Sequence, residues 1–339
     1  MGPVQTRGHT PEQDRDEYPR REICSCCWVG LKLDRQEDGN QRANSKHGMG
    51  DGKLMGDSKI EEAQLKKRTA QEIGRVESVM FKCCVIIECE QILDLASTPT
   101  GAVKACVFSA DSKLFASGSF DCTIRVWKLQ TGECLRVLQG HSRSVETLCF
   151  SSDSRLLLSG SWDCKAILWD PKSGHIVKSF SGHRNVIKTC SFSLDGEQLA
   201  TGSWDYTIRV WRLRKVRRNL VLRGHEGNVS CVAFSRFGML ASGSWDKTVR
   251  VWDSRNGRLI FLLKEHTGRV MALSFSLDSI LLVTAAGDET IRVWDCEDGE
   301  CKKILKCELD IVHSCQFSPN DTLLTAGSSD FLLTMTTTH

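Results

Sequence analysis

Residues 224–253 read GHEGNVSCVAFSRFGMLASGSWDKTVRVWD, and the side chains of this stretch recur along the chain at a fixed interval. Its last tryptophan, Trp252, has counterparts at Trp127, Trp169, Trp211 and Trp294, so the successive spacings are 42, 42, 41 and 42 residues. An Asp stands six residues before each Trp: Asp121, Asp163, Asp205, Asp246 and Asp288. A hydroxyl residue stands four residues before each Asp: Ser117, Ser159, Thr201, Ser242 and Thr284. His141, His183, His225 and His266 open four of the units, each followed nine residues later by Phe150, Phe192, Phe234 or Phe275. Self-similarity at this period marks a repeat architecture. Short β-branched and apolar runs parted by Gly, Asp and Ser predict strands joined by tight turns, about four per unit at roughly four to six residues each.

The rest of the chain sets the limits. With 339 residues, 40% hydrophobic and 26% charged, this is ordinary globular composition. The 45 basic and 42 acidic residues leave a net charge of +3, too near balance to make nucleic acid or an anionic membrane the main partner. Residues 1–78 carry equal numbers of acidic and basic residues with little apolar periodicity, which predicts a largely disordered segment ahead of a β domain over 79–339. Within it, Ser58 and Glu61 suggest a capping box and a short helix. The Arg- and Asp-rich start has no apolar core of a secretory signal, and Val79–Phe81 and Cys83–Ile87, parted by Lys82, fall far short of a membrane span. A cytoplasmic chain, with a nuclear address as the alternative, is the expectation, and its 17 cysteines are read as reduced thiols. Cys106, Cys190 and Cys315, each two residues before a Phe, are expected on the core face of a strand.

The pairs Gly140-His141, Gly182-His183 and Gly224-His225, with Trp169-Asp170, Trp252-Asp253 and Trp294-Asp295, resemble the WD-repeat β-propeller family over roughly residues 91–335. The resemblance implies an all-β propeller in which the turn Asp accepts from the His and the hydroxyl links that His to the Trp indole. The implied network is His141, Ser159, Asp163, Trp169; His183, Thr201, Asp205, Trp211; His225, Ser242, Asp246, Trp252; and His266, Thr284, Asp288, Trp294. His, hydroxyl and Asp also invite a catalytic-triad reading, but a triad needs one constellation, whereas serial copies indicate architecture. No catalytic residue, cofactor or metal site is therefore expected; Cys24-Ser25-Cys26-Cys27 lacks the second ligand pair of a zinc site, and no phosphate-binding glycine loop occurs.

The pattern breaks at both ends. Pro99 and Glu308 fill the His slot of the first and last units, and the last unit has Ala326 for the hydroxyl and Thr336 for the Trp. Six blades are predicted, the last composite or incomplete, with Gln91-Ile92-Leu93-Asp94-Leu95 available as its fourth strand. The ring either closes through that strand or stays open.

Candidate functional residues lie where the resemblance implies a narrow top rim. The residue before the turn Asp is Phe120, Trp162, Trp204 or Trp245, then Gly287 and Ser329, and the residue five beyond the His slot is Lys104, Glu146, Lys188, Ser230, Met271 or His313. The aromatics either pad the blade contacts or anchor a protein or peptide partner, since indoles concentrate at binding hot spots. Two further features stand apart. Arg212-Leu213-Arg214-Lys215-Val216-Arg217-Arg218 is a local basic loop, either solvated or a nuclear-localisation or anion-binding patch. Trp252-Asp253-Ser254-Arg255 resembles the box by which some WD-repeat substrate receptors dock, through an Arg such as Arg255, on cullin-RING ubiquitin-ligase adaptors. The expected function is a non-enzymatic interaction scaffold, with the ligase receptor as the alternative.

Overall fold

The computed structural model describes residues 99–214, 219–306 and 314–317, together with the backbone of 323–327 and 332–336. The expectations for residues 1–78, the boundary at 79, the strand at Gln91–Leu95, Glu308, His313, Ser329 and the loop residues 215–218 lie outside the described residues. Those residues that are described fold as all-β.

Blade one consists of β1 (Val103–Phe108), β2 (Leu114–Ser119), β3 (Thr123–Lys128) and β4 (Cys134–Gln139). Blade two follows with β5 (Val145–Phe150), β6 (Leu157–Ser161), β7 (Ala166–Trp169) and β8 (Ile176–Phe180). Blade three has β9 (Ile187–Phe192), β10 (Gln198–Ser203), β11 (Ile208–Arg212) and β12 (Leu220–Leu222). Blade four has β13 (Val229–Phe234), β14 (Met239–Ser244), β15 (Val249–Asp253) and β16 (Leu259–Leu263). Blade five has β17 (Val270–Phe275), β18 (Leu281–Ala286), β19 (Thr290–Asp295) and β20 (Cys301–Lys306). A sixth sheet holds three strands, β21 (Ser314–Phe317), β22 (Leu323–Gly327) and β23 (Leu332–Thr336). Every sheet is an antiparallel meander in sequence order.

The innermost strands pack in series, β1 on β5, β5 on β9, β9 on β13, β13 on β17 and β17 on β21. Among the described residues no packing of that extent joins β21 to β1. The expected core cysteines sit in these inner strands, with Cys106, Cys190 and Cys315 all buried. The second strand of each full blade is buried along its length or from its second residue on, because the next blade covers it. Gly160 shows how close that cover lies: a Cβ there would stand 2.5 Å from Cγ2 of Ile187 in the next blade. The Ser-Gly-Ser runs at 117–119, 159–161 and 242–244 are thus the seats for the β-branched Val145, Ile187 and Val270 of the neighbouring sheets. Outer strands such as β8 are mostly exposed, so the core lies between blades rather than on the circumference.

Candidate interaction surface

The hydrogen-bond chain closes in four blades. In blade two, Trp169 Nε1–H donates to Ser159 Oγ at 2.8 Å, the hydroxyl meets His141 Nε2 at 2.7 Å, and His141 Nδ1 meets Asp163 Oδ2 at 2.8 Å. In blade three Thr201 takes Trp211 Nε1–H at 2.9 Å and meets His183 Nε2 at 2.8 Å, and His183 Nδ1 reaches Asp205 at 2.8 Å. Ser242 joins Trp252 and His225, and Asp246 holds His225. Thr284 joins Trp294 and His266, and Asp288 holds His266. A neutral imidazole that donates from Nδ1 and accepts the hydroxyl proton at Nε2 satisfies every atom of the chain. All four hydroxyl residues are fully buried, so none can meet a substrate as a nucleophile.

Each Asp also receives backbone N–H groups from two loops. Asp246, for example, accepts from Glu226 N at 2.9 Å and Thr248 N at 2.9 Å, which ties the loop entering β13 to the β14–β15 turn. Burial alone would raise these carboxyls. The hydrogen bonds from His and backbone, joined by a Thr hydroxyl in blades three to five, outweigh it and hold Asp163, Asp205, Asp246 and Asp288 below the ordinary carboxylate range. Blade one, with Pro99 in the His slot, solves the same problem differently. Burial alone would raise Asp121, but Thr123 Oγ1 and N donate to its Oδ1 at 2.6 and 3.0 Å, Thr100 N donates to its Oδ2 at 3.0 Å and Arg125 Nη1 to the same oxygen at 3.2 Å, so it falls to about 2. Trp127 still donates to Ser117, at 3.1 Å.

This frame positions the rim. Where β1 meets β2, Val103 pairs with Ser119 and Ala105 with Gly118, leaving Lys104 as the extra residue of a β-bulge. The same slip leaves out Glu146, Lys188, Ser230 and Met271 in the next four blades. A bulge re-aims its extra side chain, so five of the six rim residues expected five beyond the His slot share one structural cause. They are not equally free. Glu146 is buried, accepts from Ser144 Oγ at 2.9 Å and from Lys188 Nζ at 3.1 Å, and is held below its ordinary range because Lys188, the Ser144 hydroxyl and the charge of Lys104 outweigh its burial. Ser230 Oγ donates into blade five at Val270 O, at 2.5 Å.

The rim aromatics separate into two groups. Trp162 and Trp204 meet edge-on with centroids 5.6 Å apart, and Trp204 and Trp245 lie 5.8 Å apart, so three blades share one indole arc. The arc continues through Arg269, whose guanidinium lies 4.2 Å from the Trp245 ring centre. Arg269 was not among the sequence candidates. Its only signal was Gly287, which leaves the next rim slot without a side chain and whose N–H bonds to Arg269 O. Phe120, expected in the same cluster, is 62% exposed and stacks on no ring among the described residues, although its turn has the same left-handed residue, Cys122, that the other blades carry at Cys164, Tyr206 and Lys247. The three indoles are partly exposed, and Trp204 Nε1 is buried with no hydrogen-bond partner among the described residues.

Blades locked by a repeated His–hydroxyl–Trp chain and carrying an uneven rim define a propeller built for display, the sameness lying inside and the individuality at the edge. The family model for the WD domain, G-beta repeat, matches residues 88–128, 132–170, 174–212, 217–253, 257–295 and 299–334, and the chain belongs to the WD-repeat family. Among the described residues, each matched repeat from the second onward straddles two sheets: 132–170 begins at β4, the outer strand of blade one, and ends at β7. The last of the six therefore ends at the third strand of its sheet.

Two relatives match over short segments. Forty-eight residues are 38% identical to F-box/WD repeat-containing protein 10 of Mus musculus, covering 14% of this chain and 5% of that protein. A segment of 46 residues is 50% identical to apoptotic protease-activating factor 1 of Danio rerio, covering 14% of this chain and 4% of that protein. The chain thus spans about a twentieth of the length of these relatives. WD domains in general serve as platforms for protein partners rather than as enzymes.

Proposed function

We propose that this chain is a non-catalytic scaffold that holds a protein or peptide partner against the rim formed by Trp162, Trp204, Trp245 and Arg269. The observation that carries this reading is the continuous arc of partly exposed indoles over three blades, capped by a cation. Aromatic side chains in a rigid frame give contact area at little entropic cost. Lys104, Lys188 and Met271, the bulge residues of β1, β9 and β17, add further contacts to the partner in this reading, and Glu146 acts mainly by holding Lys188 in place. Affinity capture with the wild-type chain beside Trp204→Ala tests it. Loss of the captured partner with an unchanged melting curve supports the reading; equal capture overturns it.

A second reading, substrate receptor of a cullin-RING ligase docking through Trp252–Arg255, is favoured by the exposure of Arg255, whose backbone carbonyl accepts from Arg212 Nη2 at 2.8 Å. Failure of Arg255→Ala to lower adaptor capture, or capture without any adaptor, removes it. Cys134–Leu138 and the repeated Ser-Trp-Asp also resemble WD repeat-containing protein 38, and a cytoplasmic or nuclear protein of that small kind is the assignment we propose. Membrane and nucleic acid are not proposed as partners, because the cations that form a local run at Arg212–Arg218 are balanced elsewhere in the chain.

A further inference from the structure

The opposite rim of blade four carries a second, independent feature. Strands β13 and β14 are joined there by Ser235–Gly238, and β15 and β16 by a turn through Arg255 and Asn256, the reverse edge from the one bearing Trp245. Between these turns lies a cleft of about 460 Å³ lined by Phe237, Met239, Asp253, Arg255, Arg258 and Ile260. The volume matches that of a site for one bulky side chain and its neighbours.

Its walls are of two kinds. Phe237 is 65% exposed and Ile260 41% exposed, so the cleft presents two large apolar side chains to solvent side by side. Leu277 and Ile280 of the next blade, also exposed, extend this apolar strip, and Arg236 N–H bonds to Ser279 Oγ at 2.9 Å to hold the two turns together. Arg236, Arg255 and Arg258 surround the strip, all exposed, and none of their guanidinium groups forms an ion pair or hydrogen bond among the described residues. The one carboxylate of the cleft lining is tied into its own turn and not to a guanidinium: Asp253 Oδ1 accepts from Arg255 N at 2.9 Å and Oδ2 from Asn256 Nδ2 at 2.7 Å.

We propose that this cleft is a second docking site, taking a peptide segment in which a bulky apolar side chain is flanked by carboxylates. The apolar anchor fills the space between Phe237 and Ile260, and the flanking Asp or Glu side chains pair with Arg255, Arg258 and Arg236. Charge complementarity selects an acidic partner, and the apolar walls select a peptide over a phosphate backbone, which has no group to bury there. Arg212, by fixing the carbonyls of Ser254 and Arg255 from blade three, presets the turn that presents these guanidiniums.

The test is selection of a phage-displayed random dodecapeptide library on three full-length baits: wild type, Phe237→Ser with Arg255→Glu and Arg258→Glu, and Trp204→Ala. The expected result is a set of clones with acidic residues around one bulky apolar residue, bound by wild type and Trp204→Ala but at least about tenfold more weakly by the cleft variant. The mutated side chains are exposed, and unchanged far-UV circular dichroism and melting verify the fold. The proposal is overturned if the cleft variant keeps every clone, if the clones it loses are not acidic, or if polyuridylate binds the wild type tightly and displaces them. Because the indole arc is intact in the cleft variant and the cleft is intact in Trp204→Ala, the two sites fail or survive separately.

Discussion

Replacing Thr201 by Val exchanges one hydroxyl for a methyl of nearly the same volume at a site with no solvent access. The change leaves two groups without partners: the Trp211 indole N–H, bonded at 2.9 Å, and His183 Nε2, bonded at 2.8 Å. Each buried orphan costs about 1–3 kcal/mol, so the variant should lose about 2–6 kcal/mol, with no cavity contribution. Thr201→Ser makes the reverse exchange, keeping the hydroxyl and losing the methyl, and should cost about 1 kcal/mol. Ser117→Ala in blade one has a single dependent, Trp127 Nε1–H at 3.1 Å, because Pro99 replaces the His there; it should cost about 1–3 kcal/mol. Urea unfolding of the three variants, followed by far-UV circular dichroism near neutral pH, measures the order. If Thr201→Val proves no more harmful than Thr201→Ser, the hydroxyl is not the link that locks the blade, and the reasoning fails.

Acid should loosen the same chain. Asp163, Asp205, Asp246 and Asp288 lie below their ordinary values in the fold, so their contribution is present above about pH 4 and is lost as pH falls further. Burial also lowers His266 in spite of Asp288, so its loss has the same sign and begins below its ordinary 6.5; urea midpoints should fall from neutral pH downward, and a flat profile to about pH 3 contradicts this. Gly160→Ala should lower stability by about 1–3 kcal/mol, since its Cβ would meet Ile187 of the next blade; an unchanged melting temperature would show that the blades can part. Trp204→Ala should weaken partner binding by about 2 kcal/mol or more in titration calorimetry with the captured partner, and a change below the assay error refutes the anchor role.

The repeat, the blade count and all sixteen members of the His–hydroxyl–Asp–Trp networks were legible in the residues, because each chain spans less than one repeat and local strand pairing brings its members together. Thr201, for instance, sits opposite Arg209 in β10 and β11 and ten residues from Trp211, a distance any four-stranded meander closes in the same way. The rim positions were legible too, as a column of unlike residues in an otherwise uniform register.

What the column does was decided between blades. Lys188 and Glu146 are 42 residues apart and meet because bulges in two adjacent inner strands turn both toward one another. Trp162, Trp204 and Trp245 form an arc and Phe120 does not, although all four hold the same slot. Arg269 completes that arc from another slot, and Arg125 takes over from the absent His in blade one. Periodicity specifies the bonds made inside a unit; side chains that reach across a junction depend on the size and charge of whatever the neighbouring unit presents, and a repeat pattern carries no information about that.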